Sequence, residues 1–158
     1  MKGDKKIIEI LNDVLTSELT AINQYFVHAE MCDNWGYQHL HDRIRKHSIG
    51  EMKHAESLIE RVLFLEGFPN VQRLFKITIG ETVPEQLKVD LALELDAVTR
   101  LNAGIESCRT ADDNNSRHLL EEILEDEEEH IDWIEAQLSL IEQVGAPNYL
   151  AQQIHEHE

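Results

Sequence analysis

The chain has 158 residues, of which 31 are Asp or Glu and only 14 are Lys or Arg, so its formal charge is −17. That length suits a single domain over 1–158 with a sizeable core, and that charge argues against binding nucleic acid or an anionic membrane surface. The longest uninterrupted apolar run, 62–65, has four residues, far fewer than a membrane span needs. Without a signal-peptide core, and with only Cys32 and Cys108 as thiols, the chain is expected to be a reduced, cytoplasmic protein.

Four long segments repeat apolar residues with the three-and-four spacing of amphipathic helices. We predict helices over about 4–34, 37–66, 84–111 and 116–144, and a short one over about 148–154. Turn signals separate these segments at 34–36, 67–69, 112–116 and 145–147. Glycine permits a left-handed helix end and proline cannot continue a helix, so Gly67 is expected to end the second helix.

The connection between the second and third helices is the long one. Residues 68–83 show no helical period, and Ile77-Thr78-Ile79 alternates like extended chain. A helix of roughly 28 residues is about 42 Å long, a distance that roughly 16 extended residues can cover. We therefore predict an all-α four-helix bundle in which this crossover makes the second and third helices parallel.

Near the middle of each helix, the apolar stripe is interrupted by residues that can bind metal. A single Glu of this kind usually lies at a stripe edge with its carboxylate in solvent, and a single buried His is usually hydrogen-bonded. Together, four ionised carboxylates in a bundle core would be very costly unless they were protonated or balanced by cations. One Glu from each of two helices and a Glu-x-x-His from each of the other two is a dinuclear metal pattern. The six residues are Glu18, Glu51, His54, Glu94, Glu127 and His130.

Ligand chemistry and charge point to the metal. Two divalent ions balance four carboxylates, and oxygen-rich sites with one imidazole each suit iron or manganese better than copper, with zinc as a competitor. Two Fe(II) ions would supply one electron each to dioxygen, and bridging carboxylates tolerate the change to Fe(III). In the geometry that we expect, Glu51 and Glu127 bridge the ions, Glu18 and His54 complete one, and Glu94 and His130 complete the other.

Three further residues lie close to the expected ligands in the sequence. Asp90 and Asp126 are candidates to orient the two imidazoles by hydrogen bonds. Tyr25, two turns beyond Glu18, is a candidate for a phenol hydrogen bond or for electron donation.

With these residues, the chain resembles bacterioferritin over nearly its whole length. The second Glu-x-x-His distinguishes it from ordinary non-haem ferritins, and two cysteines cannot build the four-cysteine module of rubrerythrins. The matching motifs are Met1-Lys2-Gly3-Asp4, Ala21-Ile22-Asn23-Gln24-Tyr25-Phe26, Asn34-Trp35-Gly36, Glu51-Met52-Lys53-His54-Ala55, Leu63-Phe64-Leu65-Glu66-Gly67, Ile79-Gly80-Glu81 and Glu127-Glu128-Glu129-His130-Ile131-Asp132-Trp133.

The resemblance implies an iron store and ferroxidase. Such a protein oxidises Fe(II) with dioxygen or hydrogen peroxide and keeps the ferric mineral in a homo-oligomeric cage of twenty-four subunits, built from two-fold dimers. Residues 148–154 would line its four-fold pores, and acidic residues on the inner wall would attract iron. A ferredoxin-type reductant is a possible partner for iron release.

The resemblance also implies haem b between two subunits, with one Met from each as axial ligands. Met52 is the matching residue here. It points about 100° away from the metal face of its helix, and a two-fold axis makes one thioether per chain sufficient. Arg45 is a candidate to pair with a haem propionate. The residues expected to line the haem pocket are Leu19, Asn23, Phe26 and Ile49.

At one place the chain departs from the family. Many members carry a His and an Asp that form an additional iron site on the inner wall, whereas this chain has Lys46 and Gly50 there. We therefore expect no such site, with His47 pointing elsewhere. The tail 155–158 alternates His and Glu and is expected to be a disordered, solvated end.

Two alternatives stay open on the sequence alone. The chain could be a diiron oxidase or peroxidase that forms no storage cage. It could also be a haem-binding structural subunit whose core carboxylates hold zinc or no metal.

Overall fold

The computed structural model describes residues 1–154, so the His- and Glu-containing tail discussed above lies outside the described residues. Five helices occupy this part of the chain, and none of them is long and apolar enough to cross a membrane. They are α1 Lys5–Asn34, α2 Gln38–Phe64, α3 Val83–Thr110, α4 Asn114–Val144 and the short α5 Ala146–Ala151. The predicted all-α four-helix bundle with a short fifth helix is confirmed.

The bundle consists of two helical hairpins. Helix α1 packs against α2, and α3 against α4, with further contacts between α1 and α3 and between α2 and α4. Apolar side chains form two separate buried clusters, one around Leu11, Leu58 and Leu120 and the other around Tyr25 and Ile44. Because the polar interruptions of the four stripes fall between these clusters, the bundle holds a polar layer between two apolar ones.

Hydrogen-bonding side chains define where three of the helices begin. Asp4, Thr82 and Asp113 are the N-caps of α1, α3 and α4, and each accepts a backbone N–H from the first turn. The cap of α4 lies in the turn 112–116, and α4 begins at Asn114, two residues earlier than predicted. Gly145, with φ +83°, ends α4, and α5 starts immediately after it instead of at residue 148.

The end of α2 differs from the prediction. The residue with left-handed backbone is Glu66, with φ 63°, and not Gly67. Gly67 serves close packing instead, because a Cβ at this position would lie 2.7 Å from Cγ2 of Ile8. The absent side chain lets the start of the crossover approach α1.

The crossover runs along α1 and is attached to it by polar side chains spaced four residues apart. The guanidinium of Arg73 donates to the hydroxyl of Thr16 at 3.2 Å. Further along, backbone N–H groups of residues 75, 78 and 80 donate to Thr20 Oγ1, Gln24 Oε1 and His28 Nε2, at 2.9, 3.1 and 3.0 Å. The residue numbers in the crossover and those of its partners in α1 increase together, so the crossover runs parallel to α1. It therefore returns the chain to the end of the bundle where α2 began. The predicted parallel course of α2 and α3 follows.

Candidate metal centre

The polar layer brings together all six residues that the sequence predicted as ligands. Glu18 comes from α1, Glu94 from α3, and one Glu-x-x-His pair from each of α2 and α4. The four carboxylates are between 1 % and 4 % exposed, and His130 is 6 % exposed. His54 is somewhat more open, with 14 % of its side chain exposed. Four acidic side chains at this depth require protons or cations to balance them.

The six side chains form two overlapping groups whose ligand atoms lie within 4.8 Å of one another. We call the group of Glu18, Glu51, His54 and Glu127 the first metal position. The second metal position consists of Glu51, Glu94, Glu127 and His130. Glu51 and Glu127 belong to both groups, which is the placement that bridging carboxylates need. Each position then has three carboxylates and one imidazole, a donor set that suits iron.

Both imidazoles turn the same nitrogen toward the carboxylates. His54 Nδ1 lies 3.5 Å from Glu18, 3.7 Å from Glu51 and 3.3 Å from Glu127. His130 Nδ1 lies 3.1 Å from Glu94 Oε1. Despite this proximity, five buried atoms of the centre have no hydrogen-bond partner: Glu18 Oε2, Glu94 Oε2, Glu127 Oε1, His54 Nδ1 and His130 Nδ1. Unpartnered polar atoms are rare in protein interiors, and here they converge on one small volume, so the residues fit a pair of metal ions.

Protons occupy the first metal position when metal is absent. Burial raises the pKa of Glu18 to about 8, and the nearby charge of Glu127 acts in the same direction. Burial opposes a charge on His54, but the carboxylates of Glu127 and Glu18, 3.3 and 3.5 Å from its Nδ1, outweigh it and raise the pKa of His54 to about 11. At the second metal position burial dominates and lowers the pKa of His130 to about 4. The two positions therefore differ in protonation at neutral pH.

The outer contacts of the ligands follow the predictions in two cases and contradict them in one. Asp126 Oδ2 accepts a hydrogen bond from His54 Nε2 at 2.7 Å and so fixes this imidazole with Nδ1 inward. The hydroxyl of Tyr25 donates to Glu94 Oε1. Asp90 was expected to orient a ligand imidazole, but its Oδ1 contacts Gln24 Nε2 at 2.8 Å and Nδ1 of the non-ligand His28 at 2.9 Å. Asp90 thus helps to attach α3 to the α1 side chains that hold the crossover.

On one side the centre opens into a cavity of about 250 Å³. Lys46 and Gly50, which stand where many bacterioferritins carry inner-wall ligands, line this cavity together with Arg43 and Glu129. Gly50 has no ligand atom in its side chain, and Lys46 brings a cation.

His47 lies in the same cavity wall and packs against a ligand. Its ring centroid is 3.5 Å from that of His130, with the planes tilted by 44°. His47 was expected to point elsewhere but lies beside the centre, because this contact depends on how α2 and α4 are rotated against each other. The sequence offered one indication of such a neighbour to the ligands, a His one turn before the Glu-x-x-His motif of α2.

Met52 lies apart from the carboxylates, on the outer surface of the bundle. It is 56 % exposed, and Phe26 and Ile49, two of the predicted haem-pocket residues, are 50 % and 40 % exposed. Leu19 is partly buried and Asn23 is exposed. Met52 is therefore accessible on the surface of the bundle and contributes no atom to either ligand group.

The comparisons with known proteins agree with this architecture. Residues 8–144 match the model of the ferritin-like domain. The chain is 50 % identical to a bacterioferritin of Mycobacterium tuberculosis over 152 residues, which is 96 % of each chain. It is 49 % identical to that of Streptomyces coelicolor over 151 residues, 96 % of this chain and 90 % of the relative. With that of Brucella melitensis it shares 45 % over 149 residues, 94 % and 92 % of the two chains. The chain therefore belongs to the ferritin family, among the bacterioferritins.

Proposed function

We propose that this protein stores iron and is a ferroxidase that oxidises Fe(II) to Fe(III) at the six-residue centre. The observation that carries the proposal is the pair of overlapping ligand groups, which share Glu51 and Glu127 and hold five unpartnered buried atoms. Family membership supports the storage role. Iron is the substrate here.

The protein's part in the reaction is to hold two Fe(II) ions side by side and to stabilise the additional positive charge when they become Fe(III). Each ion gives up one electron, so one dioxygen consumes four Fe(II) and four protons and yields four Fe(III) and two water molecules. Hydrogen peroxide is the other candidate oxidant. Carboxylate ligands accommodate the higher charge of Fe(III), and the shared Glu51 and Glu127 keep both ions in one site. Ferric product then passes to the stored mineral.

Tyr25 has a defined place in this scheme. Its buried hydroxyl donates to Glu94 Oε1 and its ring lies 5.1 Å, edge-on, from that of His130. It thus orients two ligands of the second metal position. A phenol that contacts two ligands is also a candidate to supply a single electron.

The proposed assembly is a homo-oligomeric cage of twenty-four subunits with haem b at its two-fold interfaces. Met52 is the proposed axial ligand from each subunit, and its exposure, together with that of Phe26 and Ile49, supports the proposal. Bound haem would supply electron transfer for iron release, with a ferredoxin-type protein as the proposed reductant. Residues 148–154 are proposed to line the four-fold pores.

Stopped-flow absorbance after mixing apoprotein with Fe(II) in air tests the ferroxidase activity. Glu18→Ala and Glu94→Ala each remove a ligand belonging to one position only, so both should reduce the fast phase to the rate of buffer alone. Glu129→Ala is the matched control, because Glu129 lines the adjoining cavity but belongs to neither ligand group. A fast phase that survives in both ligand variants would contradict the proposal.

Size-exclusion chromatography separates iron storage from a cage-free diiron oxidase. A large shell is expected, and a discrete dimer under all conditions would exclude storage. For haem, Met52→Leu should abolish the bis-thioether spectrum without changing the fast phase of iron oxidation. Unchanged haem spectra in this variant would refute the axial role of Met52.

A further inference from the structure

The two ligand imidazoles are held in different ways. His54 is fixed by a hydrogen bond from its outer nitrogen to Asp126. Within residues 1–154, the outer nitrogen of His130 makes no such bond to a carboxylate or a carbonyl group. His130 instead contacts two rings: its ring centroid lies 5.1 Å from that of Tyr25, which is edge-on, and 3.5 Å from that of His47.

His47 is itself held by two neighbours. Arg43, one turn earlier on α2, donates from Nε to His47 Nε2 at 3.3 Å. Trp133, one turn after His130 on α4, meets the His47 ring edge-on at 5.2 Å. The guanidinium of Arg43 lies over the Trp133 ring at 5.2 Å, which closes a triangle of three side chains. This triangle joins α2 to α4 directly beside a ligand of the second metal position.

The contact between the two histidines is packing, since Nδ1 of both rings has no hydrogen-bond partner and His47 Nε2 accepts from Arg43. His47 is also poorly placed to bind metal itself. It belongs to neither ligand group, and Arg43 and Lys46 put two positive charges around the same cavity. His47 thus contacts a ligand of the second metal position without being a ligand itself.

The geometry points to His47 as a positioning residue for the second metal position: its ring, held by Arg43 and Trp133, keeps the His130 imidazole turned with Nδ1 toward Glu94. This inference rests on the proposed diiron function and adds a residue of this chain to it. Hydrogen-bond partners that orient a metal-binding His change metal affinity by about 10–100-fold when they are removed, and the ring of His47 stands where such a partner is missing. Loss of the His47 ring is expected to lower metal affinity by a factor in that range at the second metal position and to leave the first unchanged.

Binding of Co(II), which is not oxidised under these conditions, tests the role without measuring iron oxidation. Full-length apoprotein is titrated with Co(II), and binding is followed by the visible absorption of the bound ion. His47→Ala should weaken one of two Co(II) ions by about tenfold or more and leave the other unchanged. His47→Phe loses the acceptor for Arg43 but retains a ring between Trp133 and His130, so it should bind both ions within about threefold of the parent. His130→Ala is the control that shows which ion occupies the second position.

Each result has one interpretation. If His47→Ala binds both Co(II) ions as tightly as the parent, the inference is overturned. It is also overturned if His47→Phe binds as weakly as His47→Ala, because a nitrogen of His47 and not its ring would then support the affinity. If His47→Ala does not assemble, His47→Gln takes its place: Gln keeps an acceptor for Arg43 but has no ring, and the same weakening is expected. Failure of the parent protein to bind two Co(II) ions would refute the proposed metal centre itself, a result distinct from an unchanged His47 variant.

Discussion

The two metal positions are expected to differ sharply in how their affinity for metal depends on pH. At the first position, the pKa of His54 is raised to about 11 and that of Glu18 to about 8. Both groups therefore carry protons at pH 7, and an entering metal ion must displace them. At the second position the pKa of His130 is lowered to about 4, so this imidazole is already a neutral ligand.

The magnitude follows from counting displaced protons. Each proton released on binding changes the apparent affinity by about tenfold per pH unit. Below pH 8 the first position releases about two protons, one from each of His54 and Glu18, so its affinity should rise about 100-fold per pH unit. Above pH 8 Glu18 is ionised, and the slope should fall to about tenfold. His130 should add no pH dependence to the second position above about pH 5.

Variants that retain a single position make the measurement direct. His130→Ala leaves the first position and His54→Ala leaves the second, and Co(II) affinity is measured for each at pH 6, 7 and 8. Adding Glu18→Gln to the His130→Ala variant removes one titrating group, so its slope should fall from about 100-fold to about tenfold per pH unit. Equal slopes at the two positions, or no change on adding Glu18→Gln, would refute the assignment of the protons.

Three stability predictions concern the scaffold around the centre. Thr20→Val removes the acceptor for the Phe75 N–H and should lower the free energy of unfolding, measured with guanidinium, by about 1–3 kcal/mol; an unchanged midpoint would mean that this bond does not hold the crossover. Gly67→Ala should destabilise by about 1–3 kcal/mol, because the new methyl group would meet Ile8 at 2.7 Å. Gly50 lies inside α2, and no heavy atom lies within 4 Å of a Cβ added there, so Gly50→Ala should raise the free energy of unfolding by about 0.5–1 kcal/mol. If Gly67→Ala were more stable than Gly50→Ala, the packing described would be contradicted.

Most of the architecture could be predicted because it depends on local spacing. The period of an α-helix decides which residues share a face, so Glu18, Glu94 and the two Glu-x-x-His pairs were visible as polar interruptions of apolar stripes. Their positions near the middle of each helix placed them at one height whichever way each helix runs. Charge balance among buried carboxylates then pointed to two cations without knowledge of a single distance.

Tertiary structure decided the contacts around the ligands, because these depend on helix rotation and on the path of the crossover. Asp90 and Asp126 look equivalent in the sequence, yet only Asp126 reaches a ligand imidazole, while Asp90 binds His28 beneath the crossover. The packing of His47 on His130 requires α2 and α4 to approach at one particular rotation, which periodicity does not specify. The sequence by itself thus determined which side chains enter the metal layer, and the packing of the helices determined what holds each of them there.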